Sequence, residues 1–406
     1  IDHAGAGTNT LTTNTASATT FAGTIRNTAG TLKLVKNGSG TLILSGNNTY
    51  TGETDINAGT LTANTNSALG AASAPVYIGN GSSATAGTPA ILAIAAGVTL
   101  QNTTIVTNPD FNGSNALRTI TGNGGTSTYT GNVYIGGGAV LSAASGNTTN
   151  FTGVIQNSTD NGTGVNRDLT KNGAGIVTLS GNNIYTGSTI VNGGFLNAAA
   201  NGALGSGTTG TSGIAVNSGT LVLTNSAATD RVKDTAPITL AGGTLARSGF
   251  GTVSEGTGAS RNGSTFTGTN TVGLGALTLT AASTLDYNPT ISVFPTGGVG
   301  TFVFSSFTPN GNLLTINNYY SSANAGSNLS GVDGIDDRLI FNSDQSSNLA
   351  FFSFGGTVGA AEIALGGGFF EVVPVPEPST WAAGILALTA LCYSKRRYFR
   401  VTRTIS

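Results

Sequence analysis

Short apolar runs alternate with polar positions along most of the chain, with the two-residue period of a β-strand. Thr41-Leu-Ile-Leu44 and Val177-Thr-Leu179 are examples, and glycine or Asn-Gly steps separate such runs about every ten residues. No stretch before residue 374 has a sustained helical period. The pattern therefore predicts an all-β chain of many short strands, which could form a sandwich, a barrel or a solenoid.

One unit of this pattern occurs twice. Residues 34–70 read LVKNGSGTLILSGNNTYTGETDINAGTLTANTNSALG, and residues 169–205 read LTKNGAGIVTLSGNNIYTGSTIVNGGFLNAAANGALG. At a constant offset of 135 residues, 22 of the 37 positions are identical. Upstream, residues 21–27 match residues 151–157 at an offset of 130, so an insertion lies around residues 159–166. Because the length varies in a polar segment and not in the strands, we expect this insertion to be a loop.

Repetition of one strand-turn unit favours the solenoid over the sandwich and the barrel. Stacked coils bring like residues into ladders, and glycine permits their tight corners. Residues 1–300 are therefore predicted to form a parallel β-solenoid, with about a dozen coils of roughly 20 to 25 residues. Lys36 and Lys171 recur at equivalent positions, as do Tyr50 and Tyr185. Ladder packing explains such recurrence before a ligand does.

The repeated unit resembles a known family. The pattern K-N-G-x-G-x-x-x-L-S-G-x-N-x-Y-T-G-x-T-x-[IV]-N-x-G-x-L resembles the autotransporter-associated β-strand repeat of exported bacterial surface proteins. The resemblance implies a right-handed parallel β-helix. It covers residues 34–70 and 169–205 well, and weaker echoes extend it over residues 20–290.

The composition argues against most kinds of catalytic and metal-binding site. Charged residues make up only 8% of the 406 residues, against roughly 25% in an ordinary soluble domain. One histidine, one cysteine and no methionine leave almost none of the side chains that metal sites, thiol chemistry or histidine catalysis need. We therefore expect a protein that is not an enzyme, with no cofactor and no catalytic or metal site.

The charges that are present divide the chain into two parts. The net charge is −1. Five of the 16 basic residues lie at the C-terminal end, whereas the other 11 basic residues and all 17 acidic residues lie before it. The chain before that end therefore has a formal charge near −6. Such a body offers no cluster of basic residues for a phosphate backbone, so nucleic acid is not an expected partner.

Residues 301–373 differ in texture, with aromatic-rich strands around a group of carboxylates. The end of a solenoid exposes unpaired strand edges, so we predict that this region is a β cap and spacer; a separate small β domain is the alternative. Asp333, Asp336 and Asp337 form its carboxylate cluster. A solvated turn or strand end is the preferred interpretation of the cluster, and a calcium site or an acid–base pair that cleaves polysaccharide are the alternatives.

The C-terminal segment, residues 374–406, has three parts in order. Proline-rich chain around Pro376-Glu-Pro378 precedes an apolar run, and a basic tail at residues 395–403 follows it. Residues 380–394 are predicted to be one short transmembrane helix with its basic end in the cytoplasm. Its apolar run spans about 21 Å as a helix, less than the roughly 30 Å hydrocarbon layer, so a core helix is the alternative.

This order of elements resembles the PEP-CTERM sorting signal. The resemblance implies transient anchoring in the inner membrane and processing by exosortase, a membrane transpeptidase, before delivery to the cell surface or the extracellular matrix. A permanent anchor is the alternative. The residues of the predicted signal are Pro376, Glu377, Pro378, Lys395, Arg396 and Arg397.

The function expected from these patterns is that of an exported, non-enzymatic surface or matrix protein in adhesion or scaffolding. Exopolysaccharide or cell-surface glycans are the expected ligands. The alternative is a β-helix that binds or cleaves polysaccharide. Because the chain begins at Ile1 and not at methionine, we expect it to be a processed or truncated form.

Overall fold

The structure is a computed structural model. It describes residues 1–79, 88–106, 118–158, 167–206, 209–224, 231–233, 235–248, 260–262, 265–267, 274–288, 301–320 and 337–375. The predicted loop at residues 159–166 lies outside these ranges.

Three long sheets contain most of the described strands. Sheet 1 has seven: Thr8–Asn14, Thr31–Asn37, Thr54–Ile56, Val76–Ile78, Thr104–Val106, Val133–Ile135 and Ile155–Asn157. Sheet 2 has twelve: Thr19–Phe21, Thr41–Leu44, Gly59–Ala63, Ala90–Ala95, Arg118–Asn123, Ala139–Ala143, Leu169–Asn172, Thr189–Val191, Ile214–Val216, Ile238–Ala241, Leu277–Ala281 and Phe307–Thr308. Sheet 3 has eleven: Thr99–Leu100, Thr126–Tyr129, Thr148–Phe151, Ile176–Leu179, Phe195–Ala198, Thr220–Thr224, Thr244–Ser248, Ser283–Asp286, Leu314–Asn317, Phe352–Phe354 and Thr357–Val358.

The chain passes repeatedly from one sheet to another, and within sheets 1 and 2 neighbouring strands belong to successive coils. Leu34 pairs with Thr54, twenty residues on, and Val76 with Thr104, twenty-eight residues on. All pairs within sheets 1 and 2 are parallel. The all-β prediction is confirmed, and the long parallel sheets agree with a solenoid. The right-handed sense stays a prediction.

The alternation seen in the sequence places one side of each strand inside the coil. Thr31–Asn37 alternates half-buried and buried positions, and Thr41–Leu44 does the same. Leu34, Leu44 and Leu61 are fully buried, and burial of each such side chain contributes about 1.5–3 kcal/mol. The coils are therefore held together by a continuous apolar interior as well as by the hydrogen bonds between strands.

The two copies of the repeat lie on different faces of the solenoid. In the first copy the strands that begin near Leu34 and Thr41 belong to sheets 1 and 2. In the second copy the equivalent strands, near Leu169 and Ile176, belong to sheets 2 and 3. Sheet 3 begins only at Thr99–Leu100, between the copies. The offset of 135 residues is therefore not a whole number of turns.

A stack of glycines allows the coils to approach closely at one corner. A Cβ atom on Gly181 would lie 2.1 Å from the carbonyl oxygen of Gly153, and a Cβ on Gly153 would lie 2.1 Å from that of Gly131. Gly46 meets Gly23 in the same way in the first copy, at the corner that follows sheet 2. Real Cβ atoms do not approach a backbone oxygen so closely, so both corners require glycine.

At its C-terminal end the described chain changes from parallel to antiparallel pairing. A fourth sheet contains Thr301–Phe304, Arg338–Phe341, Phe369–Pro374 and Ala360–Gly366, in that order. Its first pair is parallel, and the other two pairs are antiparallel. Phe304, Phe341 and Val372 belong to the same hydrophobic cluster as the solenoid interior. The core is thus continuous across residue 300, and the division of the chain there stays a prediction.

The shorter elements are three two-stranded pairings and one 3₁₀ helix in the described part of the chain. The pairings are Asp2–His3 with Arg26–Asn27, Gly205–Ser206 with Thr209–Gly210, and Ser260–Asn262 with Thr265–Thr267. The 3₁₀ helix is Leu349–Phe351. Among the described residues, no helix is long and apolar enough to cross a membrane. The predicted transmembrane segment, residues 380–394, lies outside them.

Candidate functional site

The residues of the predicted sorting signal fall outside the described part of the chain. Pro376, Glu377 and Pro378 follow the last described residue, and Lys395, Arg396 and Arg397 lie further on. Two of the three clustered carboxylates, Asp333 and Asp336, also lie outside the described residues.

Asp337 is described and lies at a strand end, directly before the strand Arg338–Phe341, but the expectation that it is solvated is wrong. Its side chain is 2% exposed. One carboxylate oxygen lies 3.5 Å from Nη1 of Arg247, and the other accepts the backbone N–H of Tyr320 at 2.8 Å. Arg247 belongs to sheet 3, so this ion pair joins the solenoid to the fourth sheet. A carboxylate enclosed in this way is not available to bind a sugar or to act on one.

A second buried ion pair lies beside the first. Nε of Arg338 donates to one carboxylate oxygen of Glu371 at 3.2 Å, and Nη2 donates to the other at 3.0 Å. The exposed fractions of the two side chains are 1% and 0%. The hydroxyl of Tyr287 donates to the backbone oxygen of Arg338 at 2.7 Å. Sequence reasoning missed this cluster because its members are far apart along the chain.

Within the described ranges, no group of three or more His, Cys, Asp or Glu side chains is placed to hold a metal ion. The buried carboxylates described above face guanidinium groups instead. Their arrangement matches structural ion pairs that fix one part of a fold against another.

The repeated lysines lie inside the coil corners. Nζ of Lys36 donates to the backbone oxygens of Asn37, Gly38 and Ala58 at 2.8, 2.7 and 3.0 Å. Burial lowers the pKa of this amine. The ammonium group thus satisfies carbonyl groups of two consecutive coils, which confirms that packing explains the recurrence of this residue.

Lys171 makes the same contacts in the second copy. Its Nζ donates to Asn172, Gly173 and Gly193 at 2.9, 2.8 and 2.9 Å. Burial lowers its pKa to about 8. The three carbonyl groups take up the three donors of the ammonium ion, so the same geometry forms although the two copies lie on different faces.

The repeated tyrosines are also interior groups. The hydroxyls of Tyr50 and Tyr185 are hydrogen-bonded to Thr54 and Thr189 at 2.6 and 2.5 Å. Both rings are fully buried, and burial raises the pKa of each phenol. These residues are therefore not exposed to a ligand.

In the part of the chain that the structure describes, the outer surface of the sheets is open to a ligand. One outward ladder of sheet 2 runs over eleven coils and has neither a charged nor an aromatic member: Thr41, Thr60, Ile91, Thr119, Val140, Thr170, Ile190, Ala215, Thr239, Thr278 and Thr308. An outward ladder of sheet 3 is similar, with one aromatic member: Thr126, Thr148, Ile176, Phe195, Thr220, Thr244, Thr284 and Thr315. Phe195 packs against the buried pair Val222 and Ala246.

The outer face of sheet 1 is different. Asp55 pairs with Tyr77, and Tyr134 pairs with Gln156, in one outward ladder. All four side chains are half-buried, as expected on a flat sheet. We call this ladder, together with its neighbours Lys33 and Glu53, the tyrosine strip. The sequence carried a signal for it, because the tetrapeptide Val-Tyr-Ile-Gly occurs at both 76–79 and 133–136.

Comparison with known proteins identifies the repeat. A family model described as the passenger-associated-transport-repeat matches residues 34–63 and 169–198, within both copies quoted above. The resemblance to an autotransporter-associated β-strand repeat is thereby confirmed in both. No solved structure matches the chain.

The chain is also similar to the adhesin BmaC autotransporter of Brucella suis biovar 1 (strain 1330). The two are 32% identical over 287 residues, which are 67% of this chain and 7% of the adhesin. The chain thus matches only a small part of that relative's length.

Proposed function

We propose that this chain is an exported protein of the cell surface or extracellular matrix that acts in adhesion or as a scaffold. The observation that carries the proposal is the pair of passenger-type repeats, which lie in stacked parallel sheets. Similarity to an autotransporter adhesin supports it. A long, rigid and mostly uncharged surface suits repeated weak contacts with another cell or with matrix.

A comparison of strains tests this function. A strain that lacks the chain and its complemented strain would be compared for attachment to a solid surface and to sister cells. We expect the complemented strain to attach several-fold better. Equal attachment in both assays, with the chain detected on the complemented cells, would contradict adhesion.

The route to the surface is the second part of the proposal. Pro376, Glu377 and Pro378, the apolar run and the basic tail serve as a PEP-CTERM signal, which anchors the chain in the inner membrane until an exosortase removes the tail. The order of these elements in the sequence supports this route.

A fusion of residues 370–406 to an exported reporter tests the route. In cells with exosortase we expect a shorter reporter that leaves the membrane, and in cells without it a full-length reporter that stays there. A Glu377→Ala fusion should remain uncleaved in both. Equal size and equal retention of the original fusion in the two strains would refute the sorting signal.

The alternative function, binding of polysaccharide by a solenoid face, is favoured by one observation. Carboxylates and tyrosines lie together on the outer face of sheet 1. Cleavage of polysaccharide has no such support, because Asp337 is enclosed with Arg247. Polysaccharide binding is compatible with adhesion and gives adhesion a ligand.

A further inference from the structure

The tyrosine strip combines two features that neither of the ladders described on sheets 2 and 3 has. It presents two tyrosines on the open side of strands whose other side lines the core. It also contains charged groups, since Nζ of Lys33 lies 2.5 Å from a carboxylate oxygen of Glu53. The hydrogen bond to Glu53, and to a smaller extent the charge of Asp55, raises the pKa of Lys33. Aromatic rings beside hydrogen-bonding groups are a typical lining of ligand sites.

The spacing of the tyrosines follows from the register. Tyr77 and Tyr134 occupy the same ladder, with the strand Thr104–Val106 between them. Two strand spacings correspond to about 9.6 Å along the solenoid axis. Two successive sugar units of an extended β-linked chain advance by a similar length. Rings held at this interval by a rigid sheet can each pack against every second sugar of one chain.

Polar groups flank both ends of this row. Lys33, Glu53 and Asp55 precede Tyr77 along the axis, and Gln156 follows Tyr134. Sugar hydroxyl groups both donate and accept hydrogen bonds, so carboxylate, ammonium and amide groups can all pair with them. The tyrosine rings present apolar surface with a polar hydroxyl at the tip, which suits the apolar face and polar rim of a pyranose ring.

Charge selects among polysaccharides. The strip itself carries two carboxylates and one ammonium group, and the chain before its basic tail has a formal charge near −6. An anionic polysaccharide would be repelled by both. A neutral chain meets no such penalty.

We propose that the tyrosine strip binds a neutral, extended, β-linked polysaccharide that lies along the solenoid axis, with sugar rings packed on Tyr77 and Tyr134. This inference rests on the proposed surface function and names its ligand class. Contacts with a short oligosaccharide are few and exposed, so the affinity for each segment is modest, and a long polysaccharide gains by engaging many copies of the protein.

Calorimetric titration of the full chain with oligosaccharides tests the proposal. The probes are hexasaccharides of neutral β-1,4-glucan and β-1,3-glucan, with an anionic β-1,4-linked glucuronate hexasaccharide as the comparison. We expect at least one neutral probe to bind at least tenfold more tightly than the anionic one. Failure of both neutral probes to bind, or preference for the anionic probe, would overturn the proposal.

Variants then locate the site. Tyr77→Ala/Tyr134→Ala should weaken binding of the neutral probe at least tenfold. Tyr320→Ala is the matched control, because Tyr320 is 57% exposed and lies near the other end of the molecule. The affinity of this variant for the neutral probe should be unchanged. An undiminished affinity of the double variant would overturn the assignment.

Two further measurements keep the result interpretable. If the double alanine variant has a lower unfolding temperature, two further double variants are compared. Tyr77→Phe/Tyr134→Phe should keep its affinity for the neutral probe within about threefold, and Tyr77→Leu/Tyr134→Leu should lose it. Equal affinity of these two variants would overturn the role of the rings. The strain comparison separates this proposal from adhesion. If the complemented strain attaches better but the chain binds no glucan, only the ligand assignment is refuted. If the chain binds glucan but the two strains attach equally, only the adhesion function is refuted.

Discussion

At the scale of single residues, buried polar side chains of the repeat connect neighbouring coils by hydrogen bonds to the backbone. Lys36 and Lys171 each donate three hydrogen bonds to backbone oxygens of two coils. Asn48 and Asn183 likewise bridge coils, since each accepts a backbone N–H from one neighbour and donates to a backbone oxygen in another. These contacts explain why such residues recur in a chain with so few charges.

The buried amine of Lys171 makes stability depend on pH. Its pKa in the folded chain is about 8, below the ordinary 10.5, so between these values the unfolded chain holds more protons than the folded one. The free energy of unfolding should therefore rise from about pH 8 toward pH 10.5. Urea unfolding of the full chain and of Lys171→Met, at pH 7.5, 9 and 10, measures the effect as the difference between them.

Lys33→Met is the control for this titration. Lys33 is more exposed, and its pKa is raised, chiefly by its hydrogen bond to Glu53. Its small contribution should therefore be present at neutral pH and be lost as the pH rises through the folded value. If the Lys171 contribution also fell above pH 8, the three carbonyl contacts would outweigh burial and the expected sign would be wrong.

At the scale of elements, the corner glycines set how closely coils stack. Gly181→Ala would place Cβ against the carbonyl oxygen of Gly153, so the corner must open or the coil must shift. We expect a loss of roughly 1–3 kcal/mol in the free energy of unfolding. Thermal and urea unfolding would measure this loss.

Gly138→Ala is the matched control for the corner. Its added Cβ would meet only the carbonyl oxygen of Asp168, at 3.9 Å, so stability should hold or improve slightly. A cost for Gly181→Ala no greater than that of Gly138→Ala would show that the close stack is not required.

The C-terminal end depends on its buried ion pairs. Arg338→Met leaves Glu371 buried without its guanidinium partner, which should cost about 3–5 kcal/mol. Arg338→Met/Glu371→Leu removes both charges and should recover most of that loss.

Arg26→Met is the control, because it breaks the exposed pair with Asp2; it should cost less than about 1 kcal/mol. A double variant as unstable as the single one would argue against an ion-pair role.

At the scale of the whole molecule, the sequence predicted the architecture better than the site. Its alternation and repeats predicted an all-β chain of about a dozen stacked coils, and sheet 2 has twelve strands in the described residues. Repeats reveal architecture because every coil must satisfy the same packing conditions. The shift of the second copy to other faces was not visible, because strands of both copies face the same apolar interior.

The buried charge cluster could not be predicted for a different reason. Arg247 and Asp337 are 90 residues apart in the chain, and Arg338 and Glu371 are 33 apart. Local patterns show where the aspartate lies in the sequence, but not that its partner is an arginine 90 residues earlier in the chain. The tyrosine strip could be predicted in part. The repeated Val-Tyr-Ile-Gly is evident in the sequence, but the strand register that places both tyrosines in one ladder is not.

The central claim is that this solenoid acts outside the cell, and its location on living cells tests the claim most directly. Antibodies raised against residues 1–373 would be applied to intact cells that make the chain, with a cytoplasmic protein as the permeability control. We predict labelling of intact cells, or recovery of the chain from the surrounding matrix, and loss of both after external protease. Detection only after the cells are broken open would contradict the claim.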